Sequence, residues 1–365
     1  MSKSFYSLGL MSGTSADGID ASIIQSDGDT QYRVILDRYF KYNQEIYEKI
    51  HNLKDAINDS RDLRNLSNKI QNLEKEITIF HANAVNELIK ENKKNVNLIG
   101  FHGQTIFHNP KEKISKQIGD GKLLSKLTKK NIIYNFREND IKNGGQGAPL
   151  TPIFHKVLKN IFNIKEVTFI NIGGITNITN INNNENMSGT DVGPGMCLID
   201  YWVRKNSKLR YDEKGALAKS GKINKEELNL LIKNFKENVS KKEGAKSFDT
   251  KNFIFLFNKK MSLEDGAATL TEFTAKIIIS ELKKPQYKND IIFCGGGRKN
   301  DFLIEKIKKE INNTKLIDQF GIDGDFVESQ AFAYLAIRSF LNFPITFPET
   351  TGVKKPCVGG IIIQN

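Results

Sequence analysis

Residues 8–22 read Leu-Gly-Leu-Met-Ser-Gly-Thr-Ser-Ala-Asp-Gly-Ile-Asp-Ala-Ser, and this stretch constrains the fold more tightly than any other. It predicts an apolar strand over residues 6–11, a turn of small and hydroxylic residues, and a second strand resuming at Ile19. Gly13 and Gly18 have no Cβ, so backbone N–H groups in such a turn can approach phosphate oxygens. Asp17 and Asp20 flank the cradle. Two carboxylates beside phosphates call for a divalent cation between them. Alone, the same letters also describe a hairpin with a solvated Asp-Gly turn. Three further glycine-rich strand ends weigh against that plainer reading, at 173–174, 191–195 and 295–297.

Taken in order, the chain predicts strands over residues 4–10, 19–25 and 33–39. A long helix follows, with apolar residues Leu63, Leu66, Ile70, Leu73, Ile77, Phe80, Ala84 and Leu88 at steps of three and four. A strand over 96–101 then ends in His102-Gly-Gln-Thr105. Three strands, a helix and another strand open a ribonuclease-H-like α/β domain. The loop Gly144-Gly-Gln-Gly-Ala-Pro-Leu-Thr-Pro152, rich in glycine and proline, predicts a domain boundary, with domains 1–143 and 144–365 and a tail able to return to the first. The second half repeats strand, glycine turn and strand at 167–172, Gly173-Gly174 and 175–181. Thr190-Asp-Val-Gly-Pro-Gly195 is expected to be a turn opening a helix from 196 to about 204. Helices are also expected over 226–235, 266–283, 301–311 and 328–342, strands over 291–294 and 358–363. The fold class is therefore α/β, with two duplicated ribonuclease-H-like domains and a nucleotide cleft between them.

Bulk properties narrow the function. A chain of 365 residues with 39% hydrophobic and 26% charged residues buries a sizeable core. The net charge of +12 comes from scattered lysines, without an arginine-rich stripe or a DNA-binding motif, which argues against nucleic acid as partner. Cys197, Cys294 and Cys357 form no CxxC pair, arguing against a disulfide framework or zinc site. No apolar run is long enough to span a bilayer and no signal peptide is evident, so a cytoplasmic protein is expected. None of the glycine turns is a P-loop or a dinucleotide fingerprint.

Gly9-Leu-Met-Ser-Gly-Thr-Ser-Ala-Asp-Gly-Ile-Asp20 resembles the signature of the anhydro-N-acetylmuramic acid kinases. His102-Gly-Gln-Thr105, Gln117-Ile-Gly-Asp-Gly121, Phe136-Arg137, Asp140-Ile141, Gly144-Gly-Gln-Gly-Ala-Pro149, Asn171-Ile-Gly-Gly-Ile175 and Asp191 resemble it too. So do Gly295-Gly-Gly297, Glu328 with Ala331-Phe-Ala333, and Thr351-Gly352, so the resemblance spans nearly the whole chain. It implies a fold of the actin, sugar-kinase and heat-shock-chaperone ATPase type, ATP with magnesium, and commonly a homodimer. The implied reaction opens the ring of 1,6-anhydro-N-acetylmuramic acid with water while its 6-oxygen takes the γ-phosphate. The product is N-acetylmuramic acid 6-phosphate, in cell-wall recycling.

The resemblance places the catalytic base at Asp191; a helix N-cap is the other role its position suggests. Nucleotide contacts are expected at Gly13, Thr14, Ser15, Ala16, Asp17, Gly18, Ile19 and Asp20, and at Gly173, Gly174, Gly193, Gly295, Gly296 and Gly297. Sugar contacts are expected at His102, Gln104, Arg137, Asp140, Gly145 and Gln146. For His102 the alternative is a satisfied strand-end histidine, and for Arg137 with Asp140 a surface ion pair. Magnesium is expected at Asp17, Asp20 and Glu328, the last of which otherwise complements a helix dipole. His51, His81, His108 and His155 lack metal-ligand spacing and are expected to be structural or exposed. The family usually reads Asp-Thr-Gly-Pro-Gly-Asn where this chain has Asp191-Val-Gly-Pro-Gly-Met196, which implies lost polar contacts to phosphate or sugar at Val192 and Met196. Ser329 stands where alanine is common. The glycine turns alone also fit a same-fold kinase of another sugar or small acid, or a non-catalytic nucleotide-dependent binding protein. A sugar-sensing repressor would need a DNA-binding extension.

Overall fold

The computed structural model describes residues 3–238, 247–253, 257, 260–287 and 290–365. The chain divides into two units, Met1–Lys165 with Asp325–Asn365, and Glu166–Gly324. In the first, β1 (Phe5–Ser12), β2 (Gly18–Ser26) and β3 (Tyr32–Lys41) form an antiparallel meander, with Met11 opposite Asp20 and Gly18 opposite Lys41. Then come α1 (Gln44–Ala56), α2 (Asp62–Asn65) and α3 (Ser67–Glu91). The periodic apolar residues Ile70, Leu73, Ile77, Ala84 and Leu88 are the buried stripe of α3. Its start is later than the spacing suggests because Leu63 falls in the separate turn of α2.

β4 (Leu98–Asn109) runs parallel to β1, and β6 (Asn131–Tyr134) parallel to β4; β5 (Ile114–Ile118) pairs antiparallel with β4 between them in sequence. The His102-Gly-Gln-Thr105 segment, expected just past a strand end, thus lies within β4. α4 (Gly121–Thr128) precedes β6, and α5 (Glu138–Lys142) and α6 (Pro152–Ile161) follow it.

The second unit begins with the meander β7 (Val167–Ile172), β8 (Ile175–Ile181) and β9 (Met187–Pro194). Among the described residues the helices α7 (Cys197–Asn206), α8 (Ala216–Ser220), α9 (Lys225–Asn238) and α10 (Leu263–Leu282) follow. β10 (Asp290–Cys294) is parallel to β7, and after α11 (Asp301–Lys308) comes β11 (Thr314–Leu316), parallel to β10. The sheets order as β3-β2-β1-β4-β6 and β9-β8-β7-β10-β11. Each is a three-strand meander extended beyond its first strand by two strands parallel to it, so the expected duplication is present as topology. Among the described residues no helix is long and apolar enough to cross a membrane.

The chain then returns to the first unit as α12 (Val327–Phe340), α13 (Pro348–Thr351) and β12 (Ile361–Ile363), the last antiparallel to β6. α12 lies on β1, β2 and β4 with its backbone almost touching theirs. A Cβ on Gly9 would sit 1.9 Å from the Ser329 carbonyl oxygen, and one on Gly100 2.2 Å from that of Phe332. The Ser22 and Ser329 hydroxyls are 2.6 Å apart, which gives Ser329 a role that alanine cannot fill. Gln330, fully buried, accepts from Tyr32 Oη at 2.6 Å and donates to Asp37 at 2.9 Å.

The boundary expected at 143/144 is displaced to 165/166, inside the first unit's own margin. Its glycines fold back on α5 and α13: Gly145 N donates to the Asp140 carbonyl at 2.9 Å, and Gln146 N to that of Thr351 at 2.9 Å. They serve a tight loop, which has the same composition as a linker.

Replacing Gly9 by alanine forces α12 off the sheet, since the obstruction is backbone and no rotamer relieves it. We expect Gly9→Ala to lose about 3 kcal/mol or more, at or beyond the top of the usual overpacking range, read as a lowered urea midpoint.

Candidate active site

In the β1–β2 turn, residues 13–15 face outward and Ala16 faces in. Ala16 has φ +51°, uncommon for a residue with a Cβ, and its methyl is fully buried in the core beside Ile19. These two residues therefore shape the turn and do not present side chains to a nucleotide. Gly18 is needed for packing, because a Cβ there would lie 2.5 Å from the Phe40 carbonyl oxygen. Gly13 differs: among the described residues nothing lies within 4 Å of where its Cβ would be, and its φ is not left-handed. A glycine with no internal reason to be one, at a strand end, leaves room for a ligand.

Gln104, expected to touch sugar, is fully buried and braces this turn instead. Its Oε1 accepts from Ser12 Oγ at 2.6 Å and its Nε2 donates to the Gly13 carbonyl at 3.1 Å. Ser12 Oγ also reaches the Gly18 carbonyl at 2.9 Å, and Tyr42 Oη lies 3.3 Å from Ser12 Oγ. Asp17 accepts from Ser15 Oγ at 2.6 Å. Burial raises the Tyr42 phenol far above its ordinary range, and the negative charges of Asp17 and Asp20 add to that. Asp17 lies in the turn and Asp20 stands opposite Met11, so both carboxylates are at the turn end of the strands. Glu328 occupies the first turn of α12, half-buried. Ser329 is over Ser22 and Phe340 beside Phe5, so the N-terminus of α12 also faces the turn end of β1 and β2. Among the described residues no three His, Cys, Asp or Glu side chains are grouped as metal ligands. Asp17, Asp20 and Glu328 are thus not a ready-made shell, although magnesium on a nucleotide needs only one or two carboxylates, with water and phosphate completing it.

His102, Arg137 and the glycine loop come together. His102 Nδ1 lies 2.8 Å from the Gly103 carbonyl and Nε2 3.0 Å from Arg137 NH2, so the ring donates on one side and accepts on the other. That arrangement requires a neutral imidazole. Burial, with the Arg137 guanidinium beside it, holds its pKa at about 3. Arg137 NH1 in turn donates to the Gly147 carbonyl at 2.8 Å. His102 is thus a satisfied histidine, inside β4 and not at its end, and it fixes the fork of Arg137. Asp140 is 1% exposed; its oxygens accept from Gly147 N at 2.7 Å and Thr351 Oγ1 at 2.6 Å. It is a staple of the loop, not a group offered to sugar hydroxyls. Gly145 exists to admit it, because a Cβ there would meet the Asp140 carboxylate at 2.1 Å. Gln146 is tethered through its backbone, with a half-buried side chain.

In the second unit Asp191 lies on β9, not on a turn, and is no N-cap: α7 begins after Met196, which makes no side-chain cap. β9 is an edge strand, where Pro194 is tolerated. Asp191 Oδ2 accepts from Phe248 N at 2.7 Å, and Asn177 stands opposite on β8. Asn171 pairs with Asn177 from β7, giving a polar row Asn171, Asn177, Asp191 on one face of the sheet. Asn177 is not among the residues expected at the site, and β8, with four polar residues in seven, offers no pattern that singles it out. Val192, expected to mark a lost ligand contact, is 8% exposed in the hydrophobic core, and Met196 packs against that core. Gly193 serves packing, as its Cβ would lie 2.8 Å from Ile277.

The Gly173-Gly174 turn accepts from the start of α7: Met196 N donates to the Gly173 carbonyl at 2.8 Å, and Gly195 N to that of Gly174 at 3.0 Å. Gly173 itself has no close neighbour to exclude a Cβ. In Gly295–Gly297, the first has φ +79° and the third packs on Ile172, whereas Gly296 is exposed with nothing within 4 Å among the described residues. Gly13, Gly173 and Gly296 are therefore turn glycines whose presence internal packing among the described residues does not require. Arg298 fixes the last of these turns; it is buried, with Nε and NH2 each 2.7 Å from Asp318 and NH1 3.2 Å from the Gly295 carbonyl. The Arg298 hydrogen bonds hold the Asp318 carboxyl below its ordinary range.

Four histidines of the first unit are buried and held neutral: His81 near pKa 4, and His102, His108 and His155 near 3, chiefly by burial. The unfolded chain binds protons at these rings below its ordinary pKa of about 6.5, while the folded chain does not. Stability from this source is complete above that value and is lost as pH falls toward 4. Near pH 5 the slope approaches about 5 kcal/mol per pH unit for four such rings. Urea melts at pH 7.5 and 5 should show a steep loss at the lower value, partly relieved in His155→Phe. Equal stability at both would contradict the neutral assignment.

The sequence model of the family described as anhydro-N-acetylmuramic acid kinase matches residues 5–365. A relative from Pelagibacter ubique named anhydro-N-acetylmuramic acid kinase is 53% identical over the full length of both chains. One of the same name from Agrobacterium fabrum is 35% identical over 98% of each. A solved structure, the activator of the 2-hydroxyisocaproyl-CoA dehydratase from Clostridium difficile with bound ADPNP, is similar with a TM-score of 0.42, 14% identity and coverage of 93% of this chain and 96% of that one. The chain belongs to the anhydro-N-acetylmuramic acid kinase family.

Proposed function

We propose that this protein is an ATP-dependent kinase that opens 1,6-anhydro-N-acetylmuramic acid with water and phosphorylates its 6-oxygen. The product, N-acetylmuramic acid 6-phosphate, belongs to cell-wall recycling; the enzyme acts in the cytoplasm, as a homodimer. Membership of the whole chain in the family carries this reading. The oxygen of water bonds to the anomeric carbon as the bond from that carbon to the 6-oxygen breaks. The 6-oxygen takes the γ-phosphoryl group, and ADP leaves.

Asp191 accepts the proton lost by water. Phe248 N fixes one carboxylate oxygen, which orients the other. The outward turn at Gly13 receives phosphate oxygens, and Gly173 and Gly296 leave room for the nucleotide. Asp17, Asp20 and Glu328 supply carboxylates for magnesium, which neutralises phosphate charge when bound. Arg137, aimed by His102 and the Gly147 carbonyl, pairs with the lactyl carboxylate of the sugar.

Asp191→Asn keeps size and the hydrogen bond from Phe248 but cannot take a proton. Turnover should fall by roughly 10²–10⁴-fold with nucleotide affinity intact, and in labelled water the wild type should place the label at the anomeric carbon. ATP turnover indifferent to the sugar would remove the proposal. Val192→Thr, by contrast, puts a hydroxyl into the core: a stability loss of about 1–3 kcal/mol and no gain in kcat/KM are expected. A several-fold gain would show that the position reaches ligand after all.

A further inference from the structure

We propose that Lys54 and His51, on α1, are positioning residues that turn the Thr14 and Ser15 carbonyls of the phosphate turn away from the ligand, so that the Ser15 N–H faces outward; this rests on the nucleotide reading of that turn. Lys54 Nζ donates to the Thr14 carbonyl at 2.9 Å, and His51 Nε2 lies 3.0 Å from the Ser15 carbonyl. The His51 ring packs on Tyr47 with centroids 4.4 Å apart, which limits its rotation. The neighbouring carbonyls have partners of their own. Gly13 accepts from Gln104 Nε2 and Ala16 N, Asp17 from Tyr42 N at 2.9 Å, and Gly18 from Ser12 Oγ. A carbonyl turned toward a phosphate would repel it, so a turn that binds phosphate must send these oxygens the other way.

The carbonyl of Thr14 and the N–H of Ser15 belong to one peptide unit and point in opposite directions. An ammonium on the oxygen therefore fixes the direction of the N–H and strengthens it as a donor. Lys54 acts through the peptide and does not itself touch phosphate. His51, three residues before Lys54 on the same helical face, holds the Ser15 carbonyl away from the ligand side, while the N–H of that peptide, on Ala16, closes the turn onto the Gly13 carbonyl.

The test is calorimetric titration of a non-hydrolysable ATP analogue with magnesium chloride, and separately of the anhydro sugar, into wild type, Lys54→Ala, Lys54→Arg and His51→Ala. Lys54→Ala should weaken the analogue about three- to tenfold, the scale of one hydrogen bond, and leave sugar affinity and melting temperature unchanged. Lys54→Arg, which keeps a cationic donor, should restore binding, and His51→Ala should act in the direction of Lys54→Ala. Unchanged nucleotide affinity in Lys54→Ala, or equal weakening by Ala and Arg, overturns the inference. A wild type that does not bind the analogue removes the nucleotide reading itself, a separate outcome.

Discussion

The first unit depends on a backbone-to-backbone contact. α12 comes close enough to β1 and β4 that only hydrogen atoms fit at Gly9 and Gly100. From that contact follow the Ser22–Ser329 pair, the burial of Gln330 between Tyr32 and Asp37, and the placement of Glu328 at the turn end of the sheet. Dispersion acts over fractions of an ångström, so a helix seated this closely is fixed in register as well as position. The β1–β2 turn inherits that rigidity through its two strands.

A second principle concerns which glycines matter for ligand. Most of those in the motif turns are required by packing or by a left-handed φ, as at Gly18, Gly145, Gly193, Gly295 and Gly297. Gly13, Gly173 and Gly296 have no such requirement. The distinction separates glycines that the fold requires from glycines it does not, and no motif string contains it. The same holds for polar residues: Gln104 and Asp140 sit inside recognised motifs, yet their polar atoms bond backbone groups and hydroxyls of the fold.

Much of this was legible in the sequence where periodicity was strong. The α3 stripe, the first meander and the repeat of strand, glycine turn and strand are all present, because each depends on local pattern. What failed depended on neighbours. β9 continues through Asp191 to Pro194 because edge position relieves proline of a ladder bond, and edge position is a property of the sheet. The 144–152 loop looked like a linker because tight loops and linkers share glycine and proline. Val192 turns into the core and Met196 packs against it, a placement that depends on the orientation of β9 and the start of α7.

The first unit is interrupted in sequence by the whole of the second. α12 and β12, which cover Gly9 and extend the sheet beyond β6, emerge from the ribosome only after Glu166–Gly324 has been made. At 5–20 residues per second that interval is on the order of 10 s. The second unit, contiguous in the chain, can complete its core in that time, while β1 and β4 wait with an apolar, glycine-lined face uncovered. Folding order is thereby reversed relative to synthesis: the unit begun first is finished last. During those seconds the nascent sheet is the part of this protein most in need of a chaperone.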